Sequence, residues 1–242
     1  FNTFLAAWSG WSSPDLLRFV EAARPEIAQI CFFGPVFHGY ADNPASTDYP
    51  MQLPVAGQRE ALEAQRKLIA SVRALGAKVV AHFQMVNVIR KGGKQENNFA
   101  EFYERRWPED LLGPRPDAGW QDLLQRDAAG KPMVRPRFSI DFFGLCPSNP
   151  HARLMLRRML KVAVDAGVDG IITNYNYRWS CLCAHCQAAF KEYLARKYTA
   201  GDILKRFGVR DLANHRFDRI YAELPGCPDE KSATPLDWEA MY

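Results

Sequence analysis

The chain has 242 residues, enough for one large domain or for a domain plus a fragment, and its 48% hydrophobic content allows a sizeable core. The net charge of +4 is small and no basic run reaches five residues, so composition gives no argument for nucleic acid or an acidic membrane surface. No apolar stretch is long enough to span a bilayer, and Phe1 opens the chain without a signal-like segment, as in a processed or excised chain.

Phe4 to Trp8 reads as a short buried strand. Ser13-Pro14-Asp15 then supplies an N-cap, a proline at the first helical position and an acidic first turn. The helix that follows is expected to turn Leu16, Leu17, Phe19 and Val20 inward. Ile27 to Phe33 is a second apolar run of strand length, and residues 34–57 are rich in Pro, Gly and Asp and read as a loop. Gln58 to Leu75 forms a helix whose apolar side carries Leu62, Leu68, Ile69, Val72 and Leu75, with Gly76 ending it. Lys78 to Val88 is the third strand.

Residues 90–149 form a long irregular insertion containing a short helix around Phe99 to Trp107. Asn149-Pro150 opens another helix, with Arg153, Arg157, Arg158 and Lys161 on the wet face and Leu156, Met159, Leu160 and Ala163 buried. Val168 to Asn174 is the fourth strand. Ala184 to Tyr198 is a helix with Ala189, Phe190, Tyr193 and Leu194 inward, and Thr199 caps a further helix that Gly208 ends.

Strand and helix thus alternate four times, which argues for a parallel sheet with helical crossovers. The first βα turn, Ser9-Gly10-Trp11, lacks a dinucleotide-binding glycine pattern. The expected fold is α/β: a partial (β/α)8 TIM barrel of about four βα units, with a long loop between the third strand and the third helix. Residues 1–242 are then the N-terminal part of such a barrel, truncated at the C-terminus.

Six cysteines occur, and three fall in the run Cys181-Leu182-Cys183-Ala184-His185-Cys186. Three thiolates so spaced fit three corners of a tetrahedron around zinc. Cys146 is the best fourth ligand. It precedes a helix that descends about 25 Å, and the next strand climbs about as far, returning the chain to the same end of the fold. Cys31 lies in a strand and Cys227 in a late loop, so both are weaker candidates, while His185 can replace a thiolate. The plain alternatives are free thiols or one disulfide within the cluster.

Cys146-Pro147-Ser148-Asn149-Pro150, the arginine-rich helix, Gly170-Ile171-Ile172-Thr173-Asn174, the cysteine run with Gln187-Ala188-Ala189-Phe190, and Tyr193-Leu194-x-x-Lys197-Tyr198 resemble the family-42 β-galactosidases and their uncharacterised barrel relatives. The resemblance covers residues 140–210 closely and the first 90 residues only in pattern. It implies a (β/α)8 glycoside hydrolase, a structural zinc site of Cys146, Cys181, Cys183 and Cys186, and a homo-oligomer formed through downstream regions. It also implies an acid/base Glu directly after Asn174, where this chain has Tyr175. Hydrolysis ordinarily needs two carboxyl groups flanking the bond, so Asn174 and Tyr175 mark the catalytic position without supplying the pair.

Chemistry in a barrel sits at the C-terminal ends of its strands. Those ends give Trp8, Trp11, His38, His82, Gln84, Asn87, Asn174 and Asn176 as candidate contacts to an oligosaccharide or glycoside. Trp8 serves equally as core, and His82 either points into the barrel or packs under a helix. Asp42, Asp48 and Glu96 read as solvated loop charges, and Asp169 lies at the opposite end of its strand. Three functions compete: a glycoside hydrolase, a carbohydrate-binding barrel that has lost its acids, and a zinc structural or thiol-redox module. Zinc thiolates suit a reducing compartment, although a secreted or periplasmic location fits polysaccharide degradation.

Overall fold

The computed structural model describes residues 3–6, 13–34, 59–84, 87–92, 99–137, 140–174 and 181–218. Four parallel strands form its main sheet: β1 (Phe4–Ala6), β2 (Ile27–Phe33), β3 (Lys78–Gln84) and, late in the chain, β7 (Gly170–Asn174). Their spatial order equals their chain order, each pairs in parallel with the next, and the described sheet contains no reversal. This is the order of successive units in a (β/α)8 barrel, as expected from the sequence.

Helices α1 (Leu16–Ala23), α2 (Arg59–Ala74) and α5 (Pro150–Asp165) lie between these strands in the chain. Along β3, Val79, Ala81 and Phe83 join the core that also holds Ile69 and Val72 of α2 and Met155 and Met159 of α5. The alternate residues Val80 and His82 therefore face the other side of the sheet. In α1 only Leu16 and Val20 are buried, whereas Leu17 and Phe19 are exposed, contrary to the expected inner face. Both lie about 80° from the centre of the buried stripe at 100° per residue. Leu75 and Leu160 are likewise exposed rather than buried. Gly76 ends α2 with φ +94°, a conformation that L side chains rarely adopt.

Asn149 caps α5: its Oδ1 accepts the His151 and Ala152 backbone N–H groups at 2.9 and 3.1 Å, with Pro150 at the helix start. At the opposite end of β7, Asp169 accepts the Val79 N–H at 2.8 Å and pairs with Arg73 at 3.1 Å. Its role is structural, as its position predicts.

The insertion is more regular than its composition suggests. It holds β4 (Asn87–Gly92), β5 (Val134–Arg137) and β6 (Ile140–Gly144) in an antiparallel sheet of order β4-β6-β5. The expected third strand, Lys78 to Val88, is thus two strands in different sheets. Pro136 lies on β5, an edge strand, where a missing N–H costs little. The helices α3 (Phe99–Arg105) and α4 (Glu109–Leu112) complete the insertion. Phe99, Phe102, Tyr103, Trp107, Trp120 and Phe143 pack as an aromatic cluster. The Tyr103 hydroxyl donates to Ala118 O and Trp107 Nε1 to Gly113 O, both at 2.8 Å. Phe99, Phe102 and Leu123 belong to the same core as β2 and β3, so the insertion is built onto the barrel.

The last described segment carries α6 (Ala184–Lys197) and α7 (Ala200–Phe207). Phe190, Leu194, Ile203, Val209 and Phe217 form a separate core, with Tyr193 packed against it. Ala189, expected inward, is exposed. Thr199 and Asp202 make a reciprocal capping box at the start of α7.

Candidate metal centre

Two stretches meet at the cysteines. The first runs from Trp120 to Cys146. Its 3₁₀ turn Trp120–Leu123 leads to an antiparallel bridge between Leu124 and Leu145. Cys146 N–H donates to Leu123 O at 2.8 Å, and Cys146 O accepts the Asn149 N–H at 3.0 Å. Asn149 Nδ2 donates to Asp122 O at 2.9 Å. Cys146 is therefore held on both sides by backbone and lies fully buried.

The second stretch begins at Cys181. Leu182 N–H donates to Arg126 O at 2.8 Å, and Arg126 N–H donates back to Cys181 Sγ at 3.4 Å. Cys183 is the N-cap residue of α6 and Cys186 lies in its first turn. The three-residue spacing puts both sulfurs on one side of the helix start, and the positive end of the helix dipole favours thiolate there.

The four sulfurs, Cys146, Cys181, Cys183 and Cys186, all lie within 4.8 Å of one another. Cys146 Sγ is 3.5 Å from Cys183 Sγ and 3.4 Å from Cys186 Sγ. A disulfide needs about 2.05 Å, so these cysteines are free thiols. Sulfurs about 2.3 Å from a tetrahedral ion lie roughly 3.8 Å apart. The observed separations and the donor set therefore fit a metal ion. Four soft sulfurs and no oxygen ligand do not suit magnesium or calcium.

The crowding also sets the proton affinities. Hydrogen bonds from Cys146, then Cys181 and Cys186, hold Cys183 well below the ordinary thiol range. Contacts with Cys181, Cys183 and Cys186, together with burial, push Cys146 well above it. Such a group cannot carry four negative charges without a cation.

The other candidate ligands separate from this cluster. His185 is exposed on the first turn of α6 and is not among the four converging ligands. Cys31 is buried at an irregularity in β2 with φ +64°, and burial pushes its thiol up to about 12. Cys227 lies outside the described residues.

Among the strand-end candidates, Gln84 and Asn174 are register partners at the C-terminal ends of β3 and β7. His82 is buried on the sheet face away from the helices, and burial lowers its pKa from 6.5 to about 4, so the imidazole is neutral near pH 7. Asn87 is not on the third strand. It starts β4 in the antiparallel sheet opposite Gly144, because the chain leaves the barrel sheet after Gln84. Trp8, Trp11, His38, Tyr175 and Asn176 lie outside the described residues, as do Asp42, Asp48 and Glu96.

Sequence reasoning missed the 123–126 segment that braces both halves of the cysteine cluster. Its signal was the Asp127–Gly130 turn: Asp127 Oδ1 accepts the Lys131 N–H at 2.9 Å and Gly130 has φ +77°. That turn sends the chain back so that Gln125 O can accept the Met133 N–H at 2.9 Å.

Neither a protein family nor a curated protein matches this sequence. Similar solved structures include the α-galactosidase TtGalA of Thermus thermophilus, at 15% identity and TM-score 0.44, covering 70% of this chain and 30% of that one. The maltogenic α-amylase AmyB of Thermotoga neapolitana matches at 14% identity and TM-score 0.43, covering 81% of this chain and 44% of that one. The α-N-acetylgalactosaminidase NagBb of Bifidobacterium bifidum matches at 15% identity and TM-score 0.44, covering 81% and 33%. The chain spans less than half the length of each. Likeness at this distance assigns neither a family nor a substrate.

Proposed function

We propose that Cys146, Cys181, Cys183 and Cys186 bind one structural zinc ion at the rim of a glycoside-hydrolase-type barrel that acts on or binds oligosaccharides. The observation that carries the metal reading is the convergence of four free thiols, from stretches 35 residues apart, within 4.8 Å. Zinc is the ordinary structural occupant of such a four-sulfur set, and a closed site leaves no position for substrate. The sugar reading rests on the family-42 resemblance of residues 140–210 and on the amides Gln84 and Asn174 at adjacent strand ends.

Within that reading, residues 1–242 are the N-terminal part of the barrel. Tyr175, in place of the expected Glu, favours a carbohydrate-binding barrel over a hydrolase for this segment taken alone. Two measurements on the full-length protein test the proposal: metal content after purification, and a panel of aryl glycosides run beside sugar-binding calorimetry. One zinc per chain, with turnover or saturable binding of an oligosaccharide, is the expected result. Metal-free protein with four reactive thiols rejects the zinc reading, and absence of both turnover and binding rejects the sugar reading. Sugar binding without turnover selects the non-catalytic barrel.

A further inference from the structure

The two hydrophobic cores share no residue. Cys146 and Cys181, both buried, belong to neither. Hydrogen bonds join the two parts beside the sulfurs. Leu182 N–H donates to Arg126 O, Arg126 N–H to Cys181 Sγ, and Arg216 Nη2 to Ala128 O at 2.7 Å.

Among the described residues the helical part has a small core of its own: Phe190, Leu194, Ile203, Val209 and Phe217. A small core gains most from a metal ion that ties it to a larger one. Three of the four sulfurs belong to this part, and the fourth belongs to the barrel insertion.

We infer that the metal ion is the joint on which residues 181–218 both fold and dock, so that its loss melts this unit while the barrel sheet stays folded. The inference rests on the zinc reading above. It adds that the chain has two cooperative units, and that only one of them is coupled to metal. Coupling is reciprocal: what weakens the helical core must weaken metal binding, even far from the sulfurs.

Hydrogen exchange followed by mass spectrometry tests this on the full chain, first loaded with zinc, then stripped with a chelator under a thiol-free reductant. Stripping is expected to speed exchange across residues 184–207 by at least about a hundredfold, and across residues 27–33 and 78–83 by less than about threefold. Unchanged exchange in 184–207, or an equal rise in both regions, overturns the inference while leaving zinc binding intact. Failure to load zinc at all overturns the zinc reading and this inference with it. Leu194→Ala supplies the reciprocal arm. Leu194 is fully buried and remote in sequence from Cys146, and its loss is expected to weaken zinc affinity at least about tenfold. Unchanged zinc affinity in a variant whose residues 184–207 exchange faster contradicts the coupling.

Discussion

The barrel core and the α6–α7 core solve the same problem with unequal means. The first buries a continuous set of side chains from strands, crossover helices and the insertion, including Ile30, Ile69, Phe83, Phe102, Leu124 and Met155. The second has five buried side chains among the described residues, and its segment supplies three of the four clustered sulfurs. The difference teaches where a metal matters: three of its four ligands come from the part with the smaller described core.

The largest expected effect is on the metal joint. Cys146→Ser removes a ligand that the barrel side contributes. If four ligands share the 10–16 kcal/mol typical of structural zinc, the loss is roughly 3–4 kcal/mol, or a few hundredfold in affinity. Competition titration against a chromogenic chelator measures it. An unaltered affinity would remove Cys146 from the site.

Cutting the other core should have the opposite profile. Ile69→Ala, at a buried position in the core shared with β3, is expected to lower barrel stability by about 2–5 kcal/mol while zinc affinity stays within about twofold. Chemical denaturation and the same chelator titration check the two halves of this expectation. A matching fall in zinc affinity would erase the distinction between the cores.

Acid should act on the barrel through His82. Its folded-state pKa, lowered by burial from 6.5 to about 4, means that the unfolded chain takes up a proton first. Stability is therefore complete above about pH 6.5, falls as pH drops toward 4, and changes no further below that. The full loss is about 3 kcal/mol. Denaturation of chelator-stripped protein from pH 7 to 4, beside His82→Gln, isolates this contribution; an equal slope in the variant would assign the loss elsewhere.

The smallest effect concerns the caps. Asn149→Ala removes the acceptor for two N–H groups at the start of α5 and is expected to cost about 1 kcal/mol. Thr199→Ala, at the exposed capping box of α7, is expected to cost about as much but in the metal-coupled unit. Thermal melts with and without chelator check the second: the Thr199 effect should depend on metal, and an equal cost in zinc-loaded and stripped protein would contradict it.

Local signals were legible where one force decides the outcome. The Asn149-Pro150 start of α5, Thr199 and Gly208 around α7, and the strand order of the parallel sheet all follow from caps and alternation. The meeting of Cys146 with Cys181, Cys183 and Cys186 was legible from the return of the chain to one end of the fold after a helix and a strand, although the strand, Gly170–Asn174, is shorter than expected. What failed depended on tertiary partners. Val88 continues an apolar run from β3, yet pairs with Phe143 in another sheet. Pro136 hides an edge strand. Leu17, Phe19 and Ala189 carry apolar side chains on helix flanks that the described neighbours do not cover.

The centre itself is most directly tested by X-ray absorption at the zinc edge on the purified, zinc-loaded chain. Four sulfur scatterers at about 2.3 Å with no nitrogen or oxygen in the first shell is the expected spectrum. A first shell dominated by nitrogen or oxygen would contradict the four-thiolate centre and the joint built on it.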